Sequence, residues 1–361
     1  MDADMSMRTE PVEVAVVGAG PAGLCAALEA VKAGLSVVVL DENDRGGGQL
    51  FKQIHRFFGS SHHGAGRRGF EIAAKLMEDC LAAGVEVRLS STVLAFFSGG
   101  QLMVDGTDDV YLVSPQAAVI ATGASEKSAA FPGWTLPGVM GAGAAQTLVN
   151  VHGVLPGRKV LMAGSGNVGL IVAYQLMQAG AEVVGVVDIA EKAGGYEVHY
   201  DRVRREGAPF FFRHRLLAAE GGEGVEAVVI EDIDDMRAKR LRADALCLAL
   251  GLSPLAELAA MRGCRMVFQA ELGGFLPWHD EEMRSGIPGV YVAGDAAGVE
   301  EASVAMEEGR MAGISVAEDL KALNPRQVGR RRSSVRRRLE GLRSGPYGSD
   351  KSEAKRCVYC R

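Results

Sequence analysis

Two glycine triplets, 146 positions apart, constrain this chain more than anything else in it. The first is Gly18, Gly20 and Gly23, in Val16-Val17-Gly18-Ala19-Gly20-Pro21-Ala22-Gly23, with Asp41 standing 18 residues past the last glycine. The second is Gly164, Gly166 and Gly169, in Leu161-Met162-Ala163-Gly164-Ser165-Gly166-Asn167-Val168-Gly169, with Asp188 19 residues on. Each triplet follows an apolar strand, opens a helix, and leads to a second apolar strand that ends in the acid. That order is the dinucleotide-binding βαβ unit. The first glycine permits the tight turn, the second lets backbone approach a pyrophosphate, and the third allows close helix–strand packing. A pyrophosphate then rests on the helix N-terminus, where free N–H groups and the helix dipole favour negative charge. Asp41 and Asp188 are expected to bind ribose hydroxyls. One such triplet is weak evidence; two, each with its acid, imply two dinucleotides on one chain and electron transfer between them.

The rest of the sequence is compatible with this. At 361 residues the chain is long enough for two or three domains. Its 47 glycines and 48% hydrophobic content suit an α/β protein rich in tight turns. A net charge of −6 argues against nucleic acid as a partner. Met1–Glu10 is polar, without the apolar core of a signal peptide, and no run of about 18 apolar residues exists to span a membrane. Six cysteines without a framework spacing fit a reducing cytoplasm.

Apolar periodicity predicts strands at Val12–Val17, Ser36–Leu40, Val85–Leu89, Val93–Phe97, Leu102–Val104, Tyr111–Val113 and Ala117–Ala121, with helices at Ala22–Ala33 and Glu71–Ala83. The second unit repeats the plan, with strands Lys159–Ala163 and Glu182–Val187 around the helix Val168–Ala179. Further strands are expected at Phe210–Arg213, Val225–Ile230 and Ala243–Leu248. A last strand, Val290–Ala293, ends in Gly294-Asp295 and precedes a helix over Met306–Leu323. That last strand is expected to join the first sheet. The expected fold is α/β, with two Rossmann-like three-layer domains and the second inserted into the first. Residues 1–124 and 254–325 form one domain, 125–253 the other, and 326–361 a basic tail.

The two triplets, the strand end Ala121-Thr122-Gly123 and the strand end Gly294-Asp295 resemble the flavoproteins with two dinucleotide-binding domains, of thioredoxin-reductase-like architecture. The resemblance implies FAD in the first domain and a nicotinamide nucleotide in the inserted one. It places Gly18, Gly20, Pro21, Ala22, Gly23, Asp41, Glu42, Thr122, Gly123, Gly294 and Asp295 around FAD, with Asp295 near its ribityl or phosphate region. Glu301 and Ala302 belong to the same set, since the helix that follows Asp295 would point its N-terminus at the flavin. Gly164, Gly166, Asn167, Val168, Gly169 and Asp188 would hold the nicotinamide nucleotide. With Asp188 and Glu191 present and only Lys192 to offset them, NAD(H) is favoured over NADP(H).

Asp41-Glu42-Asn43-Asp44-Arg45-Gly46-Gly47-Gly48-Gln49, followed by Pro132-Gly133-Trp134-Thr135-Leu136-Pro137-Gly138, narrows the resemblance. Together they are similar to the α subunits of heteromeric flavin-dependent amine and amino-acid dehydrogenases, relatives of sarcosine oxidase α, hydrogen cyanide synthase, opine oxidase and dye-linked proline dehydrogenase. This implies an electron-handling subunit passing hydride between NAD(H) and FAD. Its partners would be a ferredoxin-like chain and a second flavoprotein subunit, with a homo-oligomer also open. The rivals are a free-standing NADH oxidase or diaphorase, and a scaffold subunit whose second site is idle. No catalytic side chain is assigned. Gly48 and Gln49 would face the flavin, unless Gln49 only caps a helix. His55, His62 and His63 lie in the connection 51–68, near the flavin or simply on the surface. Trp134 covers a flavin edge or packs between domains, and Cys25 reads as a small buried hydrophobe.

Disulfide reductases of this architecture carry a CxxC near the flavin; the corresponding run Gly138–Gln146 has no cysteine. The sequence's CxxC is Cys357-Val358-Tyr359-Cys360. Two thiolates are too few for an iron–sulfur cluster, which usually takes four. The pair is an unligated terminus, or part of a cluster or zinc site that a partner completes. Residues 326–343 hold eight arginines and one acid. With Val335, Leu339 and Leu342 on one helical stripe, the segment either packs on its own acidic body or docks on an acidic partner. On the docking reading, removing everything after Leu323 leaves the nucleotide sites intact.

Overall fold

In the computed structural model, residues 7–57, 60–344 and 348–360 are described; residues 1–6 of the polar leader lie outside them. The chain divides into two compact units, Met1–Ser125 with Ser253–Arg361, and Glu126–Leu252.

The first unit is built on a seven-stranded sheet. Its central strand, Thr9–Val17, has a wholly buried apolar end and pairs in parallel with Val37–Leu40 on one side and Val110–Ile120 on the other. Burial on both faces explains the unbroken Val/Ala run, since strands covered by helices on either side need no polar alternation. Glu86–Arg88 continues the sheet beyond Val37–Leu40. Leu102–Asp105 and Thr92–Phe96 extend the other side as an antiparallel pair. Val290–Val292 joins the same sheet in parallel, Val290 opposite Ala118 and Val292 opposite Ile120, as expected.

Tyr111–Val113 and Ala117–Ala121, expected as two strands, are one strand, Val110–Ile120. Pro115 interrupts the apolar pattern without breaking the strand because the neighbour on that side changes there. Leu102–Asp105 pairs with residues 110–113, and Val290–Val292 with residues 118–120. The missing N–H of Pro115 falls between the two ladders.

The helix expected at Met306–Leu323 runs over Ala302–Asp319 and is buried nearly all round. It lies against the fingerprint helix Pro21–Val31 so closely that a Cβ at Gly309 would sit 2.0 Å from the Ala22 carbonyl oxygen, and one at Gly313 2.4 Å from that of Ala26.

The segment read as a basic tail belongs to this unit. Pro325–Arg343 is a helix capped by Asn324, whose side chain accepts from the Arg326 and Gln327 N–H groups. It buries Val328, Val335 and Leu339 in the unit's core. A second helix, Ser349–Tyr359, buries Ala354 and Val358 against Leu272 and Leu276.

The second unit is a five-stranded parallel sheet in the order Phe210–Phe212, Glu182–Asp188, Lys159–Ala163, Ala245–Leu248, Val139–Gly141. A three-stranded antiparallel sheet accompanies it: His214–Glu220, Ala227–Asp232 and Ala238–Arg242. The α/β class with parallel sheets thus holds. Among the described residues no helix is long and apolar enough to cross a membrane.

Candidate dinucleotide sites

The glycines of each triplet differ in what surrounds them. Gly18 and Gly164 both have φ +106°, a left-handed conformation, and a Cβ there would lie 2.3 Å from a carbonyl oxygen, Ala121 or Ala249. Gly23 and Gly169 admit no Cβ either, because each lies against the carbonyl oxygen of the first glycine, at 1.8 and 2.2 Å. The middle glycines have no such constraint. A Cβ on Gly20 would meet only the Gly48 Cα at 3.8 Å, and one on Gly166 nothing within 4 Å. Both have ordinary extended φ and cap the helices Pro21–Val31 and Asn167–Gln178 with no side-chain cap. Space kept open in front of uncapped helix N–H groups suits a pyrophosphate.

The acids are more occupied than their spacing implied. Asp41 Oδ2 accepts from the Ala19 N–H at 2.6 Å and Oδ1 from the Asn43 N–H at 2.9 Å. Asp188 Oδ2 accepts from the Ser165 N–H and hydroxyl at 2.7 and 2.6 Å, and Oδ1 from the Ala190 N–H. Each carboxylate braces its own glycine turn, and its remaining lone pairs are what a ribose can use. Glu42, next to Asp41, is exposed.

Lys192 is not the only cation near Asp188 and Glu191, contrary to the sequence reading. Arg213 lies 3.3 Å from Glu191, but it is gripped by Asp234 as well. The local balance therefore still favours negative charge.

Other candidates fall into two groups. Gly48 and Gly47 are drawn to the first triplet: the Gly47 N–H donates to Ala19 O at 2.7 Å, and a Cβ on Gly48 would lie 2.8 Å from the Gly20 Cα. Gln49 is exposed in the turn Gly48–Lys52. Gly294 packs on Ala22, with a Cβ there 2.7 Å from the Ala22 methyl. The turn Gly294–Ala297 thus brings Asp295 beside the fingerprint helix. Burial pushes the Asp295 carboxyl up to about 7, with Glu308 and Glu300 adding to the rise. Thr122 is turned elsewhere, its hydroxyl donating to Leu255 O at 2.6 Å, while the Gly123 carbonyl accepts from the Leu255 N–H. Glu301 caps the helix Ala302–Asp319 without a side-chain bond to it. Asn167 Oδ1 accepts from the Tyr196 N–H at 2.7 Å, and Val168 is exposed.

His63 is not the surface residue that its place in a connection suggested. It is buried, with Nε2 2.8 Å from Glu307 and Nδ1 2.8 Å from Ser60. His62 is half exposed, and His55 stacks on Phe57. Trp134 is half exposed, and Cys25 is buried. In the cysteine-free run Gly138–Gln146, Glu126 accepts from the Gly143 N–H at 2.6 Å and fills the helix N-terminus. Cys357 and Cys360 are exposed, and no group of three or more metal-ligating side chains occurs among the described residues.

The sequence reading missed what holds the Gly294–Ala297 turn in place. Glu308, one turn and a half into the helix Ala302–Asp319, is buried and accepts from the Gly294 N–H at 3.1 Å. Its counter-ions come from the arginine-rich C-terminal segment: Lys355 Nζ at 2.7 Å and Arg343 Nη2 at 2.6 Å. Lys355 also donates to Ala297 O at 2.9 Å, and Lys351 to Val299 O at 2.9 Å. Burial alone would raise the Glu308 carboxyl; the two cations outweigh it and hold the group below the usual glutamate range. Glu307, on the next position, is paired by Arg338 at 2.8 Å, with Arg310 and His63 also on it. Of the two readings of this segment, packing on the acidic body is the one the structure shows: its cations neutralise carboxylates buried there.

Residues 12–309 match the model of the pyridine nucleotide-disulphide oxidoreductases. The chain is 32% identical over 359 residues to an opine oxidase subunit of Agrobacterium tumefaciens, covering 91% of this chain and 71% of that protein. It is 29% identical to hydrogen cyanide synthase subunit HcnB of Pseudomonas aeruginosa, over 93% of this chain and 77% of that one. Against the alpha subunit of sarcosine oxidase from Rhizobium meliloti the identity is 28%, and the match spans 85% of this chain but 30% of that protein. The thioredoxin reductase of Lactococcus lactis shares the fold with a TM-score of 0.72 at 20% identity, covering 86% of this chain and all of the other. The L-proline dehydrogenase of P. horikoshii does so at 0.71 and 24%, covering 93% of this chain and 61% of that one. With its family model matched over most of its length, the chain belongs to the pyridine nucleotide-disulphide oxidoreductases, flavoprotein oxidoreductases, and is related to subunits of heteromeric amine and amino-acid oxidases.

Proposed function

We propose that this chain binds FAD at the first triplet and NAD(H) at the second. It would pass hydride between them as the electron-handling subunit of a heteromeric amino-acid or amine dehydrogenase. The observation that carries the reading is the contrast within each triplet. The outer glycines are required by the protein's own backbone, whereas Gly20 and Gly166 are required only if something else approaches. Flavin and nicotinamide supply the hydride chemistry; the protein supplies binding, orientation and fixed dipoles. On this reading Gly18–Gly23, Asp41, Glu42, Gly48 and Gln49 hold the FAD nucleotide. Asp295 and the helix beginning at Ala302 face its reactive end, where the N-terminal N–H groups stabilise developing negative charge. Gly164–Gly169 and Asp188 hold NAD(H). The cytoplasm is the compartment this reading favours. Its partners would be a ferredoxin-like chain and a second flavoprotein subunit, which oxidises the amine.

Anaerobic mixing tests it. NADH is expected to bleach the flavin faster than NADPH at equal concentration. A 2′-phosphate beside Asp188 and Glu191 costs on the order of 1–3 kcal/mol at an effective dielectric near 20, roughly tenfold or more in affinity. Equal rates would refute the NAD(H) assignment, and no bleaching by either would favour an idle second site.

Thiols are not expected to take part. Burial pushes Cys25 up to about 11 and Cys80 and Cys247 up to about 12, which leaves them as unreactive thiols at neutral pH. Cys357 and Cys360 are exposed, so serine at both should leave the helix that carries Lys351 and Lys355 unchanged. Stopped-flow reduction of the C357S/C360S chain by NADH should match the parent. A lost or slowed half-reaction would place the pair in the electron path.

A further inference from the structure

Four helices of the first unit converge on a cavity of about 570 Å³. Each presents one face at helical spacing: Cys25, Leu28, Glu29 and Lys32 from the fingerprint helix, and Ile72, Lys75, Leu76 and Asp79 from Gly69–Ala82. Met306, Arg310 and Ile314 come from Ala302–Asp319, and Arg331, Ser334, Val335 and Arg338 from the arginine-rich helix. The turn Ser61–His63 and Arg67 close one side. The volume is that of a small-molecule site.

The floor of the cavity is apolar core, including Ile72, Leu76, Met306 and Val335. Its polar lining is strongly positive. Six Lys and Arg side chains line it, and four carboxylates, Glu29, Glu78, Asp79 and Glu307, pair with them. Arg331 has Glu29 at 3.2 Å and Lys75 has Asp79 at 3.0 Å. Arg310 and Arg338 share Glu307. Among the described residues, Lys32 and Arg67 have no carboxylate partner. Six cations against four carboxylates leave an excess of two positive charges here, in a protein whose net charge is −6. Arg338 is held through Nη2 by Glu307 and through Nη1 by Ser334, and its buried Nε has no acceptor. Burial, then the charges of Arg310 and Arg338, depress the His62 imidazole, a sign of the same positive field.

We infer that this cavity is a binding site for a small organic phosphate. The phosphate dianion would be held among Lys32, Arg67, Arg310 and Arg338, with the apolar body against Leu28, Ile72, Leu76 and Met306. Arginine and lysine around a partly desolvated volume favour a compact anion of charge two or more. The apolar floor selects one that carries a hydrocarbon or aromatic group over inorganic phosphate. The site uses helix faces, not the glycine turns, so it stands or falls independently of the dinucleotide reading.

The test uses the full chain saturated with FAD and NAD⁺, which keeps the glycine turns filled, titrated calorimetrically with 1-naphthyl phosphate. Saturable binding at one per chain is expected, with 1-naphthol and inorganic phosphate each at least tenfold weaker. K32E/R67E changes two exposed residues and should weaken binding at least tenfold with an unchanged melting temperature. Ser334→Trp, which occludes the cavity from the arginine-rich helix, should do the same. Arg337→Glu, on the solvent side of that helix, should bind as the parent does. Absence of saturable binding would overturn the inference. So would equal affinity in K32E/R67E, an equal loss in Arg337→Glu, or inorganic phosphate as good as the naphthyl ester.

Discussion

A chain cut after Leu323 should lose its flavin and much of the stability of its first unit. The cut removes Arg338, Arg343 and Lys355: Glu308, at 1% exposure, is left inside the core without its counter-ions, and Glu307, fully buried, keeps only Arg310 and His63. Stranding a buried charge in this way costs on the order of 3–5 kcal/mol. Val328, Val335 and Leu339 are withdrawn from the core at the same time. Because a cut chain can simply fail to fold, the sharper experiment keeps the full length. Lys355→Met should lower the melting temperature by roughly 10 °C, taking about 2–4 °C per kcal/mol for a unit of this size. Adding Glu308→Gln should restore much of that loss, since a neutral amide needs no cation.

The pH dependence gives an independent check. In the intact chain Glu308 is held below its ordinary pKa. Its contribution is therefore full above about pH 4.3, the unfolded value, and is lost as pH falls through the depressed one. With both Lys355 and Arg343 replaced by Met, burial dominates and the folded pKa rises above the unfolded one. The Glu308 contribution then favours folding at low pH and is lost as pH rises, so the double variant should melt higher at pH 5.5 than at pH 8. A Lys355→Met chain that melts and holds flavin like the parent would mean that the C-terminal helices do not support the Gly294–Ala297 turn.

What could be read from the sequence was whatever has a local cause. Gly18 and Gly23 solve a turn and a helix–strand contact within six residues, so their spacing announces the structure. Val290–Val292 could be placed in the first sheet because a buried strand needs a sheet to join and the second unit already had its quota of strands. The counter-ions of Glu307 and Glu308 were not legible. Lys355 and Arg343 lie 47 and 35 positions away from Glu308, and nothing local distinguishes a buried Glu-Glu pair from a solvated one. Arg213 was missed for the same reason, since it reaches Glu191 from 22 positions on. A signal for the buried helix did exist: Gly309 and Gly313, four apart in Met306–Ile314, mark a face that another backbone must approach. The gap expected between Val113 and Ala117 is absent because the cost of Pro115 depends on which neighbour the strand has at that point.

Gly20→Val and Gly23→Val should separate folding from cofactor binding. At Gly23 a side chain would enter the Gly18 carbonyl, with Cβ at 1.8 Å from its oxygen and 3.1 Å from a Val16 methyl. Backbone cannot yield there without parting the helix from the central strand, so this chain should be insoluble or melt at least 10 °C lower. At Gly20 the φ of −77° suits any residue, and the nearest atom to a Cβ is 3.8 Å away. The valine chain should therefore fold, with circular dichroism and melting of the flavin-free protein close to those of the parent stripped of flavin. Its side chain would fill the space in front of the helix N–H groups, where FAD is proposed to place its pyrophosphate. Purified protein should be largely colourless, with flavin content down at least tenfold. A yellow, fully loaded Gly20→Val chain would show that the open space before Gly20 is not where the dinucleotide lies, and would remove the observation on which the FAD assignment rests.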